Sequence, residues 1–154
     1  MQRSLIIARR RILTALAVAP LALVSTPAPS AGPAILVFKL VDCGCCDLWA
    51  EHLRKNGFSV SVRAYPDLTP VREKYGIPKK FDTCHTAQVE GYAIEGHVPA
   101  VDIRRLLQSR LKVAGLVVPG MPAGSPGMEG PRSEPYEVLS FDRSGAVQLF
   151  ARYR

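Results

Sequence analysis

Apolar positions recur along the chain in two rhythms, and the rhythm changes at glycines and prolines. ILVFKL (35–40) is an unbroken apolar run rich in β-formers and predicts an inner strand. In CCDLWAEHLRKNG the apolar Leu48, Trp49 and Leu53 follow helical spacing, with Asp42 as the expected N-cap and Gly57 as the stop. FSVSVRAY (58–65) alternates with period two, which predicts a second strand. Pro66 to Tyr75 reads as a short helix that opens after Asp67 and ends at Gly76 and Pro78. AQVEGYAIEGHV (87–98) predicts a hairpin around Gly91, and Pro99 then opens a helix, AVDIRRLLQSR. The closing YEVLSFDRSGAVQLFARY gives two more strands, turning at Arg143-Ser144-Gly145. Before it, Pro119–Pro135 is too rich in Gly and Pro for a helix or an inner strand. That stretch is expected to be an irregular loop, and loops of this length in small domains are functional or mobile.

The order β-α-β-α-β-β-α followed by a hairpin is that of an α/β chain, and it resembles the thioredoxin-like fold. In such an architecture the third strand runs antiparallel beside the first. Its start then lies next to the first strand's end, which brings Thr83, Cys84, His85 and Thr86 to the turn that precedes the first helix. Cys84 is therefore expected to face residues 43–46, although about 40 residues separate them.

The N-terminus changes the picture of compartment. Residues 1–31 carry Arg3, Arg9, Arg10 and Arg11 without an acidic residue, then an apolar stretch from Ile12 to Val24, then small and Pro-rich residues. Basic, apolar and small zones in that order describe a secretory signal peptide, and the apolar stretch is shorter than the roughly 20 residues a membrane helix needs. ARRRIL also resembles a twin-arginine export signal. With residues 1–31 removed, 32–154 is expected to be a single exported domain that stays off the membrane. The formal charge of +7 then falls by four arginines to +3. No block of consecutive Lys/Arg remains to track a phosphate backbone, so nucleic acid is excluded as a partner class.

Three of the four cysteines fall within Cys43-Gly44-Cys45-Cys46, and Cys84 is the fourth. The run contains a CxC, a CxxC and a vicinal pair at once. A CxxC at a helix N-terminus is the arrangement of thiol–disulfide oxidoreductases, with Cys43 and Cys46 as the catalytic pair. Cys45 crowds that chemistry as a competing nucleophile. Four converging thiolates suit Cu(I), with Zn(II) the less soft competitor. Two purely structural disulfides are the bland alternative, but bridges within residues 43–46 close almost no loop and constrain the unfolded chain little. His85, beside Cys84, is a candidate ligand. Met121 and Met128 are candidate thioether donors, because they lie in the Pro/Gly loop, where core packing explains them poorly. His52 reads as a surface residue, His97 as a helix-start or ligand residue, and Trp49 as core.

CGCCDLWAEHLRKNGF, TCHTAQVEGYAIEGHVPAVDIRRLL, AGLVVPGMPAGSPGME and YEVLSFDRSGAVQLFARY together resemble the CopG-like family of small exported copper-resistance proteins, over residues 35–153. The resemblance implies a thioredoxin-like fold, a periplasmic location and a cysteine-bound copper centre, as a multinuclear Cu(I) cluster with a redox role. It implies other periplasmic copper-handling proteins as partners. Cys43, Cys45 and Cys46 occupy the family's CxCC positions and Cys84-His85 its CH positions. Asp42 departs from the Thr or Ser expected there, and a nearby carboxylate would raise thiol pKa.

Overall fold

The computed structural model describes residues 32–154; the expected signal peptide, 1–31, lies outside them. Among the described residues, seven strands and three α-helices form a mixed α/β domain around one sheet. In chain order these are β1 (Ala34–Leu40), α1 (Gly44–Lys55), β2 (Ser59–Tyr65), α2 (Thr69–Tyr75), β3 (His85–Val89) and β4 (Tyr92–Glu95). Then follow α3 (Ala100–Ser109), β5 (Gly115–Val117), β6 (Tyr136–Phe141) and β7 (Val147–Tyr153). The strands lie in the order β2-β1-β3-β4-β5-β6-β7. β1 pairs parallel with β2 and antiparallel with β3, while β3 and β4 form the expected hairpin. Its turn, Glu90-Gly91, takes positive φ at both residues, the conformation whose twist matches the flanking strands. No helix among the described residues is long and apolar enough to cross a membrane.

Side-chain alternation along the strands divides the core in two. Val37, Val89, Ile94, Leu116 and Val138 pack under α1 and α3 with Trp49, Leu53, Ile103 and Leu106. On the opposite face Ala93, Val117 and Phe141 pack with Ile77 and Phe81, beside α2.

Two expectations need correction. Asp42 does not cap α1: the N-cap is Cys43, without a side-chain capping bond, and Asp42 is exposed. The first turn is fixed instead by Lys39, whose Nζ donates to the Cys43 carbonyl at 3.1 Å and to Asp47 Oδ2 at 2.6 Å. The expected final hairpin is present as β6 and β7, but an unexpected strand, β5, precedes it. β5 follows α3, pairs parallel with β4 and antiparallel with β6, and so splices the hairpin into the sheet. Three residues offer too short a run for periodicity to declare a strand.

Candidate functional site

The antiparallel pairing of β1 with β3 sets the site. Leu40 N donates to the Cys84 carbonyl at 3.0 Å, which holds the start of β3 against the end of β1. The α1 turn rises from that same point, so residues 41 apart in sequence meet. The sulfurs of Cys43, Cys45, Cys46 and Cys84 all lie within 4.8 Å of one another. Cys43 and Cys46 are joined as a disulfide, and Cys45 and Cys84 are free thiols. Cys84 Sγ stands 2.8 Å from Cys43 Sγ, 3.3 Å from Cys46 Sγ and 3.8 Å from Cys45 Sγ. Cys45 Sγ is 3.6 Å from Cys43 Sγ.

Burial separates the four. Cys43 is 7% exposed and Cys46 0%, whereas Cys45 and Cys84 are half-buried. They border a cavity of about 380 Å³ lined by Leu40, Val41, Asp42, Gly44 and Pro66 together with Cys43. Burial, reinforced by Cys45, pushes the Cys84 thiol up to about 11. Asp42 is not among the groups that raise it; the nearby carboxylate that does is Glu95.

The Pro/Gly loop closes part of the site. Met121 Sδ lies 3.4 Å from Cys84 Sγ and 3.9 Å from Cys45 Sγ. It gets there with φ of +88°, the left-handed region that favours glycine and costs a methionine of order 1 kcal/mol or more. The loop is ordered by its own bonds: Gly124 N to the Met128 carbonyl at 2.9 Å, Met128 N to the Ser125 carbonyl at 2.8 Å and Ser125 Oγ to the Pro122 carbonyl at 2.7 Å. Gly127, at φ +85°, seats it on α1, where a Cβ would stand 2.8 Å from Trp49 N and 3.1 Å from the Cys45 carbonyl. The Met128 backbone serves the loop's own turns.

His85 does not join the four sulfurs. Its ring turns into the α1/α3 core, 4.5 Å from the Trp49 ring and 5.1 Å from the His97 ring. Nε2 bonds the Gly96 carbonyl at 2.9 Å, and Nδ1 is buried without a partner. Complete burial, with His97 beside it, lowers its pKa to about 3, so the ring is neutral. His97 is also buried and holds the Pro126 carbonyl through Nδ1 at 2.7 Å. His52, read above as a surface residue, accepts the Ala100 N–H at 3.2 Å through Nε2 and so caps α3. Trp49 is core as expected, with Nε1 donating to the Val98 carbonyl at 2.9 Å.

Sequence reasoning missed Glu95 and Arg72. Glu95 is fully buried and accepts Thr83 N at 2.8 Å, Thr83 Oγ1 at 2.9 Å and Thr86 Oγ1 at 2.5 Å. Arg72 of α2 pairs with Glu95 at 3.5 Å and with Asp82 at 3.6 Å, and donates to the Thr83 carbonyl. These bonds clamp the residues on both sides of Cys84. The available signal was a glutamate at an inward position of an otherwise apolar hairpin, YAIEG.

Residues 81–128 match the family described as "Protein of unknown function, DUF411". The fold resembles the solved structure "Copper resistance protein copG- Form 1", with 44% identity, a TM-score of 0.74 and coverage of 79% of this chain and 98% of that one. It resembles "Copper resistance protein copG- Form 2" similarly, with 43% identity, a TM-score of 0.75 and the same coverage. No curated protein matches the chain in sequence.

Proposed function

The chain belongs to the CopG-like copper-resistance family, and from that premise we propose that it holds Cu(I) on the thiolates of Cys43, Cys45, Cys46 and Cys84, in the periplasm, as part of copper resistance. The observation that carries this reading is the closeness of four sulfurs from two distant segments. Two sulfurs on one ion with bonds of about 2.3 Å stand at most about 4.6 Å apart, and Cys84 Sγ lies 2.8, 3.8 and 3.3 Å from Cys43, Cys45 and Cys46, so the donor set fits shared soft-metal ligation. Four thiolates in so small a space suit ions bridged by sulfur, hence a multinuclear cluster. Cysteine thiolates select Cu(I), and Zn(II) is the runner-up. The Met121 thioether, held over Cys84 and Cys45, adds a soft donor that zinc sites rarely use. The N–H groups at the start of α1 offset the negative charge that such a cluster gathers. Met128 and His85 serve this reading as supports of the loop and of β3 rather than as ligands.

We read the β1-α1-β2-α2-β3-β4-α3 core as thioredoxin-like, with β5 and the last hairpin as its extension. The basic, apolar and small-residue zones of 1–31 support export. Other periplasmic copper-handling proteins are then the partners that exchange the ion.

A second reading, copper or thiol–disulfide oxidoreductase, is favoured by the Cys43–Cys46 disulfide at a helix N-terminus. The disulfide must take up two electrons and two protons before all four sulfurs can bind metal, so the site couples ligation to redox state. Titration of the reduced protein with Cu(I) against a competing chelator tests the first reading. More than one copper ion per chain is expected, with ultraviolet thiolate-to-copper absorption. One zinc ion held more tightly than any copper would overturn it. Sustained turnover of Cu(II) or of disulfides would move the assignment to the enzyme.

A further inference from the structure

A CxxC centre ordinarily meets its partners through its first cysteine, but here that sulfur is in the wrong place. The disulfide is enclosed, with Cys43 7% exposed and Cys46 0% exposed. The half-buried sulfurs beside it are Cys45 and Cys84. Of these two, Cys84 is in contact with both sulfurs of the disulfide, at 2.8 and 3.3 Å, while Cys45 has its contact with Cys43, at 3.6 Å. The cavity of about 380 Å³ that borders Cys84 and Cys45, and on which Cys43 also lies although it is 7% exposed, gives a small thiol room to approach. Thiol–disulfide exchange depends on which sulfur an attacking thiolate can reach as well as on its chemistry.

We propose that Cys84 is a relay cysteine, through which low-molecular-weight thiols reduce the Cys43–Cys46 disulfide and open the site to metal. The Cys84 thiolate, which rests beside the Cys43–Cys46 bond rather than along its axis, turns into line with that bond and attacks Cys43 Sγ. The Cys84–Cys43 bond forms, the Cys43–Cys46 bond breaks, and Cys46 leaves as a thiolate that takes up the proton Cys84 released. This first step moves the disulfide outward without net electron transfer. An external thiolate then attacks Cys84 Sγ, forms a mixed disulfide there and releases Cys43 as a thiolate. A second external thiol attacks the external sulfur of that mixed disulfide, giving the external disulfide and free Cys84. In sum, two thiols are oxidised to one disulfide, and Cys43 and Cys46 receive two electrons and two protons. Met121 Sδ, 3.4 Å from Cys84, partly covers the relay and limits access to small reductants. The metal consequence rests on the copper-binding reading, while the exchange itself stands without it.

The test uses metal-free protein with the Cys43–Cys46 disulfide intact, mixed with excess glutathione and quenched at timed intervals with acid and N-ethylmaleimide. Peptide mass mapping then locates the first mixed disulfide. It is expected on Cys84 in the unaltered protein, a result that needs no variant to fold. Cys84→Ser is expected to slow reduction by about tenfold or more. A first mixed disulfide on Cys43, Cys45 or Cys46 overturns the relay, as does Cys84→Ser reduced at the normal rate. Cu(I) titration of the same reduced sample separates the two ideas. Absence of copper binding there would sink the proposed function and leave the relay standing; mixed disulfide on Cys43 with normal copper binding would do the reverse.

Discussion

Cys84 is the sulfur on which the others converge, and its acidity follows from where it sits. Burial and the neighbouring Cys45 hold its thiol up at about 11, so metal-free protein keeps it protonated at neutral pH. Iodoacetamide labelling of Cys84, followed by mass spectrometry, should therefore climb about tenfold per pH unit from pH 8 to 10. A plateau near pH 9 would show that burial does not control it. Met121 offers the complementary case, a residue strained for a purpose. Met121→Gly removes the left-handed strain and should leave stability in urea unchanged or raised by about 1 kcal/mol. The same change should weaken copper retention against a chelator, and unchanged retention would remove Met121 from the site. Cys84 was legible from element order alone, because antiparallel pairing beside β1 dictates where β3 starts. His85 was not: adjacency to Cys84 suggested ligation, but successive strand residues point apart, and the ring goes into the core.

Helices and strands supply the rigidity that these side chains need. The start of β3 is clamped by Glu95 of β4 and Arg72 of α2, so Cys84 is placed by a buried ion pair on the far face of the sheet. Burial raises the pKa of Glu95, while its bonds to Thr86 and Thr83 and the charge of Arg72 oppose that rise. Glu95→Ala would strand the Thr83 N–H and the Thr86 hydroxyl and leave Arg72 with Asp82 as its remaining carboxylate partner, and should cost about 1–3 kcal/mol per stranded group in urea unfolding. A loss below about 1 kcal/mol would mean that water replaces the carboxylate. None of this cluster was visible as a pattern, because Glu95 and Arg72 are 23 residues apart and join through packing across the sheet. The Pro/Gly loop was legible as irregular. Its seat on α1 was not, since it depends on Gly127 meeting helix backbone closely, a fit that composition does not encode.

The domain as a whole gathers its histidines at one junction, where α1, β3, α3 and the loop meet. His85 packs between Trp49 and His97, His97 holds the loop through Pro126, and His52 caps α3. Burial is the largest cause lowering all three pKa values, and His85 falls from 6.5 to about 3. The unfolded chain therefore takes up protons first as the pH drops. Stability is fully present above about 6.5 and is lost as pH falls towards 3. His85 alone should remove about 2 kcal/mol between pH 6.5 and 5, at ~1.4 kcal/mol per pH unit. His52 and His97 act in the same direction. Asp67, Glu129 and Asp142, whose pKa values are lowered from already acidic starting points, act only below that window. Glu95, raised, opposes the loss as it takes up its proton. Urea midpoints of metal-free protein at pH 7.5, 6.5, 5.5 and 5.0 give the slope, and His85→Asn should flatten it whatever the variant costs in absolute stability. A slope that His85→Asn leaves unchanged would place the acid sensitivity elsewhere.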